Sequence, residues 1–194
     1  MDSMITKYIF VDLDETLFHS RFLGVKPTKA MRAIMNNGEK LVKLINYQDG
    51  EILDYEFYGS CLRPGAHDLL AALRAIPNSK VMVLTSSVED YAQANNRTHE
   101  LGFAHTDIYA RAKLERGLVP DLGITDPTSA KLYLIDNLPR HENRIKVRWM
   151  QQLTDDVEVN YIKVPEFFSA KQDRHLDSDL IADILLKIND LDNS

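Results

Sequence analysis

Three short apolar runs, each followed directly by polar side chains, divide the chain into repeating units. They are residues 8–11, residues 81–84 and residues 132–135. Runs of this length that are bounded by polar residues are typical of buried parallel strands. Segments with apolar residues at helical spacing lie between and after these runs, at residues 63–73 and again at residues 178–191. This alternation predicts an α/β fold with three layers and a mainly parallel sheet.

The segment between the first two apolar runs has a different pattern. Residues 41–47 and 51–58 flank the sequence Gln48-Asp49-Gly50, and an Asp-Gly turn between two such runs predicts a β-hairpin. Before the hairpin, residues 26–35 have the pattern of a short helix that starts near Thr28. We therefore predict a hairpin and helix insertion, at about residues 21–60, within one domain of residues 1–194. The insertion is the best candidate for controlling which substrates enter.

Composition narrows the class of protein. The chain has 194 residues, 44% of them hydrophobic, which is enough for one domain with a sizeable core. A formal charge of −6 argues against nucleic-acid binding over the whole surface, although a local basic patch is compatible with it. Cys61 is the single cysteine, so no intramolecular disulfide can form. There is no signal-peptide pattern and no apolar run of about 18 residues, so we expect a soluble, cytoplasmic protein without a membrane segment.

Two carboxylates follow the first apolar run. Asp12 and Asp14 are one residue apart, and the hydroxyl of Thr16 follows two residues later. Residues i and i+2 of a strand point to the same side, so the two carboxylates can converge. Two anions this close are stable only with a cation between them, with one of them protonated, or with separate hydrogen-bond donors. The pattern therefore predicts a functional site rather than an ordinary polar loop.

The other two apolar runs end in similar polar groups. Thr85 and Ser86 follow the second run and precede a helix, whose start can bind phosphate through free backbone N–H groups. Ser86 and Glu89 also have the spacing of a capping box, which predicts a helix that begins at Ser86. Asp136 and Asn137 follow the third run. Ligands of parallel α/β sheets bind at the carboxyl edge, so all three groups are expected to meet there.

The sequence Asp-Leu-Asp-Glu-Thr-Leu-Phe-His-Ser at residues 12–20 resembles a haloacid dehalogenase superfamily signature. The similar branch includes the small phosphatases of the RNA polymerase II C-terminal domain. The resemblance implies that Asp12 is a nucleophile that forms an aspartyl phosphate and that Asp14 is the general acid and base. It also implies that Thr16 steadies the loop beside the substrate, and that Thr85, with Ser86, binds the phosphoryl group.

The same resemblance implies a magnesium site. Asp12, Asp136 and the backbone carbonyl of Asp14 would supply oxygen ligands to Mg²⁺, and Asn137 would ligate through water or hydrogen-bond Asp136. The Arg-Pro-Gly opening at Arg63 also resembles the family. Arg63 is expected either to make structural hydrogen bonds at a helix start or to bind the substrate phosphate or a partner.

One expected residue is missing from the pattern. The family has a lysine that balances the charges of the nucleophile and the phosphate, and Pro120 stands at the resembling position. Lys113 is the best substitute, with Arg111 and Arg116 in reserve. Lys131 is a poor candidate, because it precedes a strand and lies about 17 Å from the carboxyl edge at ~3.3 Å per residue.

Three functions remain open at this point. The first is Mg²⁺-dependent hydrolysis of phosphomonoesters, on phosphoserine or phosphothreonine in a protein. The second is a phosphatase for nucleotides or nucleic-acid ends, and the third is a phosphopeptide-binding or scaffold module without catalysis, which the missing lysine suggests.

Beyond residue 139, Ile145, Trp149 and Leu153 predict the apolar face of a helix. Arginines at positions 140, 144 and 148 form either a solvated face or a guide for an anionic polymer or phosphoprotein. The oligomeric state is left open.

Overall fold

The computed structural model describes residues 5–26, 38–116, 122, 124, 129–140, 142–152, 157–168 and 176–190. The strands are β1 (Thr6–Val11), β2 (Phe18–Gly24), β3 (Glu39–Gln48), β4 (Glu51–Leu62), β5 (Ser79–Leu84), β6 (Ile108–Tyr109), β7 (Ala130–Asp136) and β8 (Val159–Lys163). The α-helices are α1 (Ala66–Arg74), α2 (Glu89–Thr98), α3 (Arg111–Glu115), α4 (Arg144–Gln151) and α5 (Ser178–Asp190). Within these ranges, no helix combines the length and apolar character needed to cross a membrane.

The three apolar runs form the centre of a parallel sheet. Its strand order is β6-β5-β1-β7-β8, and every neighbouring pair is parallel. Successive side chains of a strand point to opposite faces, so Ile9 and Val11 join one apolar cluster while Phe10 joins another. Helices α1, α2 and α5 pack in the first cluster, and α3 and α4 in the second. The predicted α/β fold with three layers and a mainly parallel sheet is confirmed.

The predicted hairpin is present as part of a second, antiparallel sheet of order β2-β4-β3. Asp49 and Gly50 have positive φ values of 52° and 85°, which is the backbone twist that a two-residue Asp-Gly hairpin turn requires. Val42 and Leu44 of β3 pack into the cluster that contains α2, so the insertion rests on the parallel-sheet domain. The predicted helix near Thr28 falls outside the described residues.

Two sequence-based predictions of helix details are wrong. Helix α2 begins at Glu89 after Val88, and no side chain caps it, so Ser86 is not its first residue and the capping box does not form. In α4, Ile145 is 70% exposed instead of buried. The buried face of α4 consists of Lys146, Val147, Trp149 and Met150, and Leu153 falls outside the described residues.

A buried polar cluster joins the antiparallel sheet to α2. The hydroxyl of Ser60 lies 2.7 Å from Nε2 of His99 and donates to Oδ1 of Asn95, also at 2.7 Å. Since the single proton of Ser60 is directed to Asn95, Nε2 of His99 carries the proton of that contact. A second proton would have to go on Nδ1, which is buried without a hydrogen-bond partner in the described part of the chain. Burial of the ring accordingly lowers the pKa of His99 from 6.5 to about 4.

His99 predicts a pH dependence of stability. Its folded pKa lies below its unfolded pKa, so its contribution is complete above pH 6.5 and is lost as the pH falls toward 4. The loss is expected to reach roughly 2–3 kcal/mol in the free energy of unfolding. Chemical denaturation of wild type and His99→Gln across this range measures it, because glutamine keeps a donor for Ser60 and does not titrate. Parallel pH profiles for the two proteins would contradict the assignment.

Candidate active site

The carboxyl edge of the parallel sheet gathers the predicted polar groups. Strand β1 lies between β5 and β7, so Asp12 and Thr85, which follow β1 and β5, lie beside Asp136, the last residue of β7. Each is almost fully buried, with exposures of 4%, 1% and 0%. Backbone hydrogen bonds continue the sheet into these residues, from Asp12 N to Ile135 O and from Thr85 N to Tyr109 O. Their positions are therefore fixed by the sheet itself.

A lysine that the sequence reasoning did not select joins two of these groups. The ammonium group of Lys146 lies 2.6 Å from Oδ1 of Asp12 and 2.7 Å from Oδ2 of Asp136. Burial raises the pKa of Asp12 to about 7, with Lys146 opposing the rise and Asp136 adding to it. Burial alone would lower the pKa of Lys146, but the two carboxylates more than offset this and leave its pKa raised. Lys146 is therefore a cation at this edge.

Helix α4 brings Lys146 to the sheet edge. Asn143, just before the helix, donates from Nδ2 to the hydroxyl of Tyr161 in β8 at 3.0 Å, and its carbonyl accepts from Val147 N. Lys146 lies on the same face as Trp149 and Met150, which pack in the core. The sequence did contain a signal for this position. Trp149 and Met150 follow Lys146 by three and four residues, and residues at this spacing share one helix face, so the lysine could have been predicted to point toward the core.

Thr16 connects the loop after β1 to the loop after β7. Its hydroxyl lies 3.1 Å from Oδ1 of Asn137 and 3.5 Å from Oδ2 of Asp12, and it accepts a hydrogen bond from Asn137 N at 3.1 Å. Both Thr16 and Asn137 are buried. The contacts agree with the expectation that Thr16 steadies the loop, and they give Asn137 a hydrogen-bonding role there.

Asp14 has a separate environment. Its Oδ2 accepts from the hydroxyl of Ser87 and its Oδ1 from the hydroxyl of Tyr91, both at 2.6 Å. The next residue, Glu15, has a φ of 61°, so the backbone turns sharply after Asp14. Burial, with Asp14 as a further cause, raises the pKa of Tyr91, so its phenol keeps the proton that it donates. Ser87 and Tyr91 were not predicted as site residues.

The loop after β5 contains Thr85 and Ser86, the two residues predicted to bind phosphate. The hydroxyl oxygen of Thr85 accepts from Ser87 N at 3.1 Å, which leaves its own proton available for a ligand. Ser86 is exposed, and its carbonyl accepts from Nε of Arg111 at 2.6 Å. Arg111, which was held in reserve as a replacement for the missing lysine, thus binds the backbone of this loop.

The other predicted cations lie away from Asp12. Lys113 is 3.3 Å from Oε1 of Glu89 and donates to Ile108 O at 2.9 Å, so these contacts are not with Asp12 or Asp136. Arg116 is exposed at the end of α3, and Pro120 falls outside the described residues. Glu89 therefore engages the ammonium group of Lys113, the lysine that was predicted to replace the missing one.

Arg63 is buried and serves as a structural link. Its Nη1 donates to Thr16 O at 3.2 Å and to Pro165 O at 2.7 Å, and its guanidinium group lies over the ring of Phe167. These contacts connect the loop after β1 with the segment after β8. They match the structural alternative of the two roles expected for Arg63.

The donor set at the edge suits Mg²⁺. Across the described ranges, no group of three or more His, Cys, Asp or Glu side chains comes together as a metal cluster. Mg²⁺ needs only one or two carboxylates, with the remaining positions filled by other oxygens. Asp12 and Asp136 supply these carboxylates, and the carbonyl of Asp14 accepts no hydrogen bond from the described part of the chain. With both carboxylates ionised, Lys146 leaves one negative charge for a further cation to balance.

Comparisons with known proteins give the family of the chain. The family described as NLI interacting factor-like phosphatase matches residues 7–193. A fission yeast RNA polymerase II CTD phosphatase Fcp1 variant bound to beryllium fluoride is 16% identical, with a TM-score of 0.50, over 98% of this chain and 51% of that one. A second Fcp1 structure is 17% identical, with a TM-score of 0.49, over 98% of this chain and 49% of that one.

The Legionella pneumophila effector Ceg4 is 13% identical, with a TM-score of 0.44, over 96% of this chain and 97% of that one. The chain spans about half the length of the Fcp1 structures, and at this identity the likeness to Fcp1 shows the fold alone. The search of curated proteins gave no significant match.

Removing the Lys146 charge is expected to destabilise the fold. In mildly alkaline buffer, Lys146→Met leaves two buried carboxylates without their cation, which should lower the free energy of unfolding by about 3 kcal/mol or more. Added Mg²⁺ should restore more stability to this variant than to wild type, because it binds the same carboxylates. Chemical denaturation with and without Mg²⁺ measures both effects. Lys80→Met, at an exposed lysine of β5, is the matched control. Unchanged stability of Lys146→Met would refute the charge balance.

Proposed function

Because the chain belongs to the NLI interacting factor-like phosphatase family, we propose that it hydrolyses phosphomonoesters through an aspartyl-phosphate intermediate, with Mg²⁺ as its cofactor. One observation carries the proposal. The site holds two carboxylates in different environments: Asp12 beside a lysine and a second carboxylate, and Asp14 between two hydroxyl groups. Two carboxyl groups whose surroundings differ in this way suit two different chemical roles.

Asp12 is the nucleophile of this proposal. Its carboxylate oxygen forms a bond to phosphorus while the bond from phosphorus to the leaving oxygen breaks, which gives an acyl phosphate. Asp14 gives its proton to the leaving oxygen. It then removes a proton from water, which attacks the acyl phosphate and releases inorganic phosphate with the Asp12 carboxylate restored. The burial of Asp12 limits access of bulk water to the nucleophile before substrate binds.

The remaining residues stabilise charge on the phosphoryl group. Lys146, rather than Lys113, supplies the cation that Pro120 does not, since its ammonium group already contacts Asp12. Thr85 donates its hydroxyl proton to a phosphoryl oxygen, and Ser86 follows it in the same loop. Asp12, Asp136 and the carbonyl of Asp14 would hold Mg²⁺, with Asn137 supporting them through Thr16. When bound, Mg²⁺ supplies positive charge that lowers the cost of the phosphoryl transition state.

The substrate class that we propose is phosphoserine or phosphothreonine in a protein, in a cytoplasmic setting. The antiparallel sheet packs on α2, which carries Tyr91 of the Asp14 site, so the insertion borders the side where the leaving group departs. The Lys146 contacts argue against the module without catalysis, because the missing charge has a replacement. The alternative of a nucleotide or nucleic-acid end rests on the open groove of ≈ 850 Å³ that Arg140, Arg144 and Arg148 line.

Asp12→Asn tests the chemistry. Hydrolysis of p-nitrophenyl phosphate should fall by about 10³-fold or more, because the amide is not a nucleophile for phosphorus. Chelation of the metal should abolish wild-type activity, and Mg²⁺ should restore it. Acid-quenched wild type should carry a phosphoryl group on Asp12 in peptide mass spectrometry. Asp68→Asn, at an exposed aspartate of α1, is the control. Full activity of Asp12→Asn would exclude the proposed intermediate.

The two substrate classes differ in their response to salt. A phosphoprotein substrate predicts weak competition by single-stranded nucleic acid and a shallow dependence of kcat/KM on salt. A nucleic-acid substrate predicts strong competition and a steep dependence, both reduced in the double variant Arg140→Gln with Arg148→Gln. Steady-state kinetics on a phosphopeptide and an end-phosphorylated oligonucleotide distinguish them. Preference for the oligonucleotide would replace the protein substrate.

A further inference from the structure

Both carboxylate oxygens of Asp14 are held by hydroxyl groups from the segment that follows β5. Ser87 is in the loop before α2, and Tyr91 is in the first turn of α2. We propose that Ser87 and Tyr91 are positioning residues that orient Asp14 for proton exchange with the leaving group, and that the antiparallel sheet sets the position of Tyr91. This inference rests on the proposed function, in which Asp14 is the general acid and base.

The geometry of the two bonds explains why both are needed. One hydrogen bond leaves a carboxyl group free to turn about that contact, whereas one bond to each oxygen fixes the plane of the group. The bonds are short, at 2.6 Å each, and approach from residues four positions apart. A proton donor must lie within hydrogen-bond reach of the atom that receives the proton, and small displacements reduce the rate strongly.

Hydroxyl groups suit this task better than a cation does. A hydroxyl both donates and accepts, so Ser87 and Tyr91 can hold Asp14 as a carboxylate and as a carboxylic acid. An ammonium or guanidinium group only donates, and it would hold the carboxylate alone. The site follows this division, because Lys146 contacts Asp12 and Asp136, whereas the hydroxyls of Ser87 and Tyr91 contact Asp14. The group that exchanges protons is thus kept apart from the fixed charge.

Two strands of the antiparallel sheet place aromatic rings against Tyr91. Its ring centroid lies 5.2 Å from that of Tyr58 in β4 and 6.2 Å from that of Phe18 in β2. Its backbone carbonyl accepts from Nδ2 of Asn95 at 3.1 Å, and Oδ1 of Asn95 accepts from Ser60 of β4 at 2.7 Å. An unbroken series of contacts therefore leads from the insertion to Asp14. The insertion acts on the chemistry as well as on substrate entry.

The leaving group provides a readout specific to this role. An alkyl oxygen, as in phosphoserine, is a poor leaving group and needs a proton as it departs, whereas p-nitrophenolate is stable without one. Misplacing Asp14 should therefore slow alkyl esters far more than p-nitrophenyl phosphate. Damage to the fold or to phosphate binding would slow all substrates alike.

Tyr91→Phe and Ser87→Ala are the test variants. For each, kcat/KM should fall by about 10-fold or more on a phosphoserine peptide and on phenyl phosphate, and by less than about 3-fold on p-nitrophenyl phosphate. Inhibition by inorganic phosphate and the thermal midpoint should stay close to wild type. Tyr47→Phe is the matched control, because Tyr47 of β3 is 62% exposed and takes no part in the contacts that hold Tyr91 and Asp14.

The possible results distinguish failure of the positioning role from failure of the proposed function. Equal losses on every substrate, or no loss on any, would overturn the positioning role while the phosphatase reading stands. Wild type without activity on any phosphomonoester would overturn the proposed function itself. Ser60→Ala tests the part played by the sheet and should give the same substrate dependence at smaller size. A uniform loss in Ser60→Ala would remove the sheet from the proposal.

Discussion

The site depends on the contact of one buried ammonium group with two buried carboxylates. Asp12 and Asp136 are brought side by side because β1 and β7 are neighbours in the sheet, and their mutual repulsion in a buried setting requires a cation. Lys146 of α4, the helix that follows β7, supplies this cation. The bond of Asn143 to Tyr161, the burial of Trp149 and the packing of α4 on β8 all serve to place that one side chain.

The rest of the site is arranged around a separation of roles. Asp12 is fixed among charges, and Asp14, two residues later, turns away toward hydroxyl groups. The sharp turn at Glu15 makes this possible within so short a stretch of chain. Hydrogen bonds from Thr16 to Asn137, and from Arg63 to the carbonyls of Thr16 and Pro165, then join the loop to its neighbours. The antiparallel sheet joins the site from the side of Asp14.

Sequence reasoning succeeded where local pattern decides the structure. The apolar runs predicted the parallel strands and their polar ends, and Asp49-Gly50 predicted the hairpin turn. It failed where the answer depends on how a helix is rotated against the sheet. The spacing of Ile145 and Trp149 suggested that both are buried, but the structure buries Trp149 and leaves Ile145 exposed, and Lys146 beside Ile145 was passed over. Lys113 was chosen because it precedes the site along the chain, but its nearest anion is Glu89. That Lys146 contacts Asp12 and Asp136 could be predicted only from the conformation of the loop before α4, which sets the position and rotation of the helix.

The contact between Asp12 and Lys146 joins residues 134 positions apart. Closing so long a loop is among the slower steps of folding, because chain entropy must be lost before the contact forms. A chain emerging from the ribosome holds Asp12, Asp14 and Thr85 long before it holds α4. Competence for catalysis therefore arises late, when α4 and β8 dock on the sheet. Until Lys146 arrives, the charges of Asp12 and Asp136 are unbalanced. This favours a sheet edge that stays open and hydrated over one that closes too early.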